Sequence, residues 1–261
     1  TLADMKRLGD WEYVLGVNLM NQHLSYMSIK GDRKHDFPQS FSYHTPWWED
    51  YHVLNNYYAR LSMALSSGQH INSVLVFEPT TTAWMYYSPK ASHRKLNELK
   101  DDFENLLRKL ESFHIEYDVA SENIIKDVGR TEKNRFVVGQ RSYSVLVLPK
   151  FMENLDTATF SLLQQYIAQG GKVFSLSDDP FLVDGIPSKA TTQLKNADNW
   201  VVIENIEQVL GELEPDFSLL PHNRIENQLF HMRRILDDGE LLFLTNFSME
   251  QTATGSGEIN G

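Results

Sequence analysis

Two short runs carry the residue types from which a site could be built. Asn21, Gln22 and His23 follow the apolar run Val17-Asn18-Leu19-Met20, and two amides beside an imidazole are suited to hydrogen-bonding hydroxyl groups. Trp47 and Trp48 stand together, with Tyr26 and Tyr43 nearby in sequence. Their rings offer flat apolar faces with polar edges, a surface on which a pyranose ring can lie. Each has a plainer alternative: a Trp pair before a helix also serves packing, and a His at a strand end also serves as a satisfied structural group. Glu49 and Asp50 are the acidic pair set among these aromatics. General acid–base work by a carboxyl pair needs the two groups to face each other across a substrate. Neighbours at a helix start diverge by about 100°, and acids there ordinarily serve the helix dipole. No catalytic residue is therefore assigned. His35, His44 and His52 lie near Asp36, Glu49 and Asp50 but lack a ligand spacing such as H-x-x-x-H, so no metal site is expected.

The elements that must position these residues fall into three zones. In the first, residues 1–70, a helix over Leu2 to Leu15 precedes a strand over Val17 to Met20. A loop to Trp48 leads into a helix over Glu49 to Ser66, closed by Gly68, with Val53, Tyr57, Arg60/Leu61 and Ala64/Leu65 at helical spacing. The second, 71–210, alternates strands with helices, which predicts a doubly wound parallel sheet. Its strands are Ser73–Phe77, Glu116–Val119, Phe136–Gly139, Tyr143–Leu148 and Lys172–Leu176. One helix presents Leu96, Leu99, Phe103, Leu106, Leu110 and Phe113 on one face; another is capped by Asp156 and stopped at Gly170-Gly171. The third, 211–261, holds a hairpin from Asn227 to Leu236 and Glu240 to Asn246 around Asp237-Asp238-Gly239.

Composition removes several functions. With 35 acidic against 24 basic residues the net charge is -11, and scattered Lys and Arg argue against a nucleic-acid partner. The absence of cysteine excludes disulfides, thiolate metal sites and a cysteine nucleophile. No apolar run reaches the ~20 residues of a membrane span and no signal peptide opens the chain, so no membrane partner is expected. No cofactor is expected either: the turn after the first parallel strand, Glu78-Pro79-Thr80-Thr81-Thr82-Ala83-Trp84, lacks the glycines of a dinucleotide site. Pro149-Lys150-Phe151 after Leu148 is no nucleophile elbow.

The stretch Tyr143 to Gly185, with its Val-Leu-Val-Leu-Pro strand, helix and Gly-Gly-Lys-Val strand, resembles the class I glutamine-amidotransferase-like domain of multi-domain glycoside hydrolases. The runs GVNLMNQHLSYMSIKGDRKHDFP and PWWEDYHVLNNYYARLSMALSSG are similar to the last βα unit of the barrel in bacterial α-L-rhamnosidase-like enzymes. NQLFHMRRILDDGELLFLTNFS resembles the opening hairpin of the β-sandwich that follows there. The resemblance implies an α/β, flavodoxin-like scaffold at 71–210, preceded by a partial (β/α) barrel at 1–70 and followed by the start of an antiparallel β domain at 211–261. It implies a carbohydrate substrate contacted by Asn21, Gln22, His23, Tyr26, Trp47 and Trp48, since residues past the carboxyl end of a barrel strand face the active site. The catalytic carboxylates would lie upstream of Thr1, in a periplasmic or secreted bacterial enzyme of which this is a fragment. Apolar surface at Leu15, Val17, Leu19 and Met20 would then favour homo-oligomers. The alternative is a non-catalytic α/β binding or interaction module.

Overall fold

The computed structural model describes residues 1–22, 28, 30–32, 41–90, 93–177, 182–213, 217–221 and 228–259. The chain divides into two compact units: Thr1–Ile71 with Pro221–Ser256, and Asn72–Leu220 with Gly257–Gly261.

The first unit is built on two helices and a hairpin. Helix Leu2–Val14 opens with a capping box in which the Thr1 and Asp4 side chains satisfy each other's backbone N–H groups. Helix Tyr51–Ser66 buries Tyr51, Leu54, Tyr58, Leu61 and Leu65. This face is turned from the expected one: Val53 and Arg60 are exposed, because Leu54, Tyr58, Leu61 and Leu65 make the more apolar stripe at the same spacing. Strands Leu229–Leu236 and Gly239–Asn246 form the hairpin, extended by a bridge from Gln69–His70 to Arg234 and Ile235. The hairpin expected to open a separate β domain thus shares one core with the N-terminal helices, placing Phe230 and Met232 against Tyr13, Leu54 and Leu61. Gly68 makes the tight approach possible: its φ is +64°, and a side chain there would strike the Ile235 carbonyl. The strand expected over Val17 to Met20 does not form. Those residues are irregular and pair with no strand among the described residues, and an apolar run without a ladder partner has nothing to hold it extended.

The second unit is a five-stranded parallel sheet with helices on both faces. Its strands are Val74–Glu78, Tyr117–Ser121, Val145–Leu148, Lys172–Ser175 and Trp200–Val202, in the spatial order second, first, third, fourth, fifth. Alternate residues feed two cores: Leu75, Phe77, Leu146 and Leu148 pack on one side, Val74, Val76, Val145 and Val147 on the other. Burial on both faces is why these strands read as unbroken apolar runs. Helix Arg94–Ser112 covers one face, and helix Thr157–Ala168, capped by Asp156 on the Thr159 N–H at 2.6 Å, covers the other. The expected parallel strand at Phe136–Gly139 belongs instead to an antiparallel meander of Gly129–Glu132, Arg135–Val138 and Arg141–Tyr143. Turns at Lys133 and Gly139, both at positive φ, connect it and leave no length for a parallel crossover. Phe217–Pro221 and Gly255–Ile259 form a further two-stranded sheet. No helix among the described residues is long and apolar enough to cross a membrane.

Candidate functional site

The aromatic cluster of the first unit hangs on a series of overlapping turns. Thr45 donates its N–H and its hydroxyl to the Ser42 carbonyl at 3.0 and 2.8 Å, Trp48 N–H donates to Thr45, and Tyr51 N–H donates to Trp48 at 3.1 Å. Buried Ser42 sets its hydroxyl 2.8 Å from His44 Nδ1. The two tryptophans then separate in role. Trp47 packs into the core, its ring 5.9 Å from Phe41 and 5.6 Å from Tyr51. Trp48 stacks on Tyr51 at 6.1 Å and 18° while 42% of it stays open to solvent. Tyr43 is 70% exposed, its ring 4.0 Å from that of His44. Asn21 is exposed and Gln22 half-buried in the irregular stretch after Met20, with no ring or hydrogen-bond contact to either tryptophan among the described residues. His23 and Tyr26 lie outside the described residues. Glu49 and Asp50 are exposed at the helix start, and Asp50 makes no side-chain cap.

Reading the sequence for its apolar face leaves a second line of side chains unnoticed. One turn beyond Trp48 come His52, Asn56 and Arg60, each four residues from the last, so imidazole, amide and guanidinium lie along one side of the helix. With Val53, Tyr57 and Met63 they line an open groove of about 750 Å³. His52 Nδ1 is 2.8 Å from the Glu49 carbonyl, which places a proton on Nδ1 and leaves Nε2 to face a ligand. Beneath the groove, Tyr57 donates to Asp10 Oδ1 at 2.6 Å, and Lys6 Nζ reaches Asp10 Oδ2 at 2.5 Å while lying over the Tyr57 ring. Burial, and then the hydrogen bond to Asp10, pushes the Tyr57 hydroxyl far above its ordinary value, so it stays a donor. The arrangement can seat a polar, ring-shaped ligand; among the described residues it holds no carboxyl pair facing across the groove. No group of three or more acidic or histidine side chains that could hold a metal occurs among the described residues.

In the second unit the strand order reverses between Val74–Glu78 and Val145–Leu148, and open parallel sheets take ligands at the carboxyl ends of strands at such a reversal. Here the protein's own side chains occupy that place. Thr82 Oγ1 accepts from the N–H groups of Glu153 and Asn154, both at 3.0 Å. Tyr86 donates to the Glu153 carboxylate, and Lys95 Nζ lies 3.2 Å from it, over the rings of Tyr86 and Phe151.

No family model and no curated protein matches the sequence. Solved structures do. A rhamnosidase from Novosphingobium sp. PP1Y superposes with a TM-score of 0.66 at 18% identity, over 94% of this chain and 24% of that one. The apo exo-carrageenase GH42 from Bacteroides ovatus gives 0.42 at 14% identity, over 74% of this chain and 28% of that one. The chain spans about a quarter of the length of the rhamnosidase, and what it shares with that structure is its fold.

Proposed function

We propose that this chain is one part of a glycoside hydrolase of the α-L-rhamnosidase-like kind, exported to the periplasm or the medium. The observation that carries the reading is the likeness to a rhamnosidase over 94% of the chain at a TM-score of 0.66. The first unit then holds the end of a catalytic barrel together with the first hairpin of a β-sandwich. The catalytic carboxylates belong to barrel strands elsewhere in the whole protein. Trp48, His52, Asn56 and Arg60 contact the sugar, joined by Asn21, Gln22, His23 and Tyr26; Trp47 holds Trp48 in place through Tyr51. The second unit is a flavodoxin-like, amidotransferase-like scaffold. Its strand order and the side chains filling its switch point support that role, as does Pro149-Lys150-Phe151 where a nucleophile would stand.

The test is the full-length gene product on a panel of aryl glycosides. Release of aglycone from an aryl α-L-rhamnoside is expected, with Trp48→Ala raising KM about tenfold, equivalent to ~1.4 kcal/mol of lost ring contact. Silence on every glycoside of the panel would overturn the proposal.

A further inference from the structure

In a chain of net charge -11, the segment from Pro79 to Asn97 contains no Asp or Glu, yet it holds Lys90, Arg94, Lys95, His93 and the aromatics Trp84, Tyr86 and Tyr87. The structure turns part of this segment outward. Trp84 is 59% exposed and Tyr87 65%, three residues apart at the end of helix Thr80–Tyr86, which puts them on one side. The Tyr87 ring stacks with that of His93 at 6.3 Å and 23°. Lys90 and Arg94 are exposed on either side of His93 in sequence, and Arg94 also meets Glu98 at 3.5 Å in a solvent-exposed pair. The surface stands on a firm base, because Thr82, Tyr86 and Lys95 are all tied to Glu153 below it. The backbone that carries Trp84 is therefore held from below, while the exposed Lys90 and Arg94 side chains still have rotamer freedom to lose on binding.

We propose that this face of the second unit binds an anionic polysaccharide, its sugar rings lying on Trp84 and Tyr87 and its carboxylate or sulfate groups meeting Lys90 and Arg94. The choice of a carbohydrate rests on the glycoside-hydrolase reading; the choice of an anionic one rests on charge complementarity at this surface alone. A nucleic acid fits less well. Duplex DNA carries a charge every ~1.7 Å and its binders neutralise about 6–10 phosphates. A few cations suit a polymer whose charges are spaced by whole sugar units.

Affinity electrophoresis of the whole chain, in gels containing polygalacturonate, dextran sulfate or neutral dextran, tests this. Retardation is expected with at least one polyanion and not with neutral dextran, and it should weaken as salt is raised. The Trp84→Ala/Tyr87→Ala variant and the Lys90→Glu/Arg94→Glu variant should each lose affinity about tenfold, with unchanged circular dichroism. No retardation by either polyanion, or retardation unaltered in the aromatic double variant, overturns the proposal. So does self-association abolished by that variant, which would make the face a protein interface, or retardation by single-stranded DNA alone. Retardation requires no hydrolysis. A protein retarded but silent on aryl glycosides would leave this site standing while the enzymatic reading fell, and hydrolysis without retardation would do the reverse.

Discussion

Glu122 is fully buried at the end of strand Tyr117–Ser121, where its carboxylate joins two crossovers of the second unit. Oε1 accepts from the Thr81 N–H at 3.2 Å and the Thr81 hydroxyl at 2.5 Å, and Oε2 accepts from the Asp156 N–H at 2.6 Å. Truncation to Ala would strand these donors in the interior, so Glu122→Ala should cost about 3 kcal/mol in urea denaturation. Burial pushes the carboxyl above its ordinary value, although the bonds from Thr81 and Asp156 pull it back. A raised folded value means that the native state holds the proton more tightly than the unfolded chain. The stability tied to that proton is full below the ordinary value of 4.5 and is lost as pH rises through the folded value. Glu122→Gln has no such proton to bind. The stability gap between wild type and Glu122→Gln should therefore move in favour of wild type as pH falls from neutral toward 4.5. A gap independent of pH would mean that burial does not perturb Glu122.

At the scale of elements, helices Leu2–Val14 and Tyr51–Ser66 are locked at a glycine. The Tyr58 ring lies against Gly9, and its hydroxyl donates to the Met5 carbonyl at 2.6 Å. Gly→Ala inside a helix ordinarily gains ~1 kcal/mol. At Gly9 the added methyl would run into the Tyr58 ring, so Gly9→Ala should destabilise by about 1–3 kcal/mol from overpacking. Gly211→Ala, where a methyl meets nothing, should be neutral or slightly stabilising; thermal melts of the two variants check the contrast. Sequence reads such helices well, because capping residues and spacing are local: Asp156 and the Gly170-Gly171 stop are both legible. Which face of a helix turns inward is less so. On Tyr51–Ser66 the tyrosines are amphipathic and occur at 51, 57 and 58, so more than one stripe looks apolar until tertiary contacts choose. The hydrogen-bonding line through His52, Asn56 and Arg60 is hidden by the same ambiguity. Strands are legible only as apolar runs; nothing within Phe136–Gly139 says whether its partner is parallel or antiparallel, because turns on either side decide that.

At the scale of the whole molecule, two features oppose each other. The net charge of -11 keeps copies of the chain apart. Against it stand Leu15, Val17 and Leu19, exposed in succession, Leu19 by 76%. Val17 to Met20 has the composition of a strand but no ladder among the described residues, and under the proposed reading its neighbours are barrel strands of the whole protein. The chain by itself should therefore pair this surface with another copy. Apolar association of a highly charged protein is held back by long-range repulsion, which salt screens within a Debye length of ~10 Å at 0.1 M. Sedimentation velocity over a concentration series should show association that strengthens as sodium chloride is raised, and Val17→Lys/Leu19→Lys should abolish it at every salt. Association through ion pairs would weaken with salt instead. A wild-type chain that stays monomeric even when its charge is fully screened would mean that this apolar run is not an open edge, and would remove the structural reason for placing barrel strands beside it.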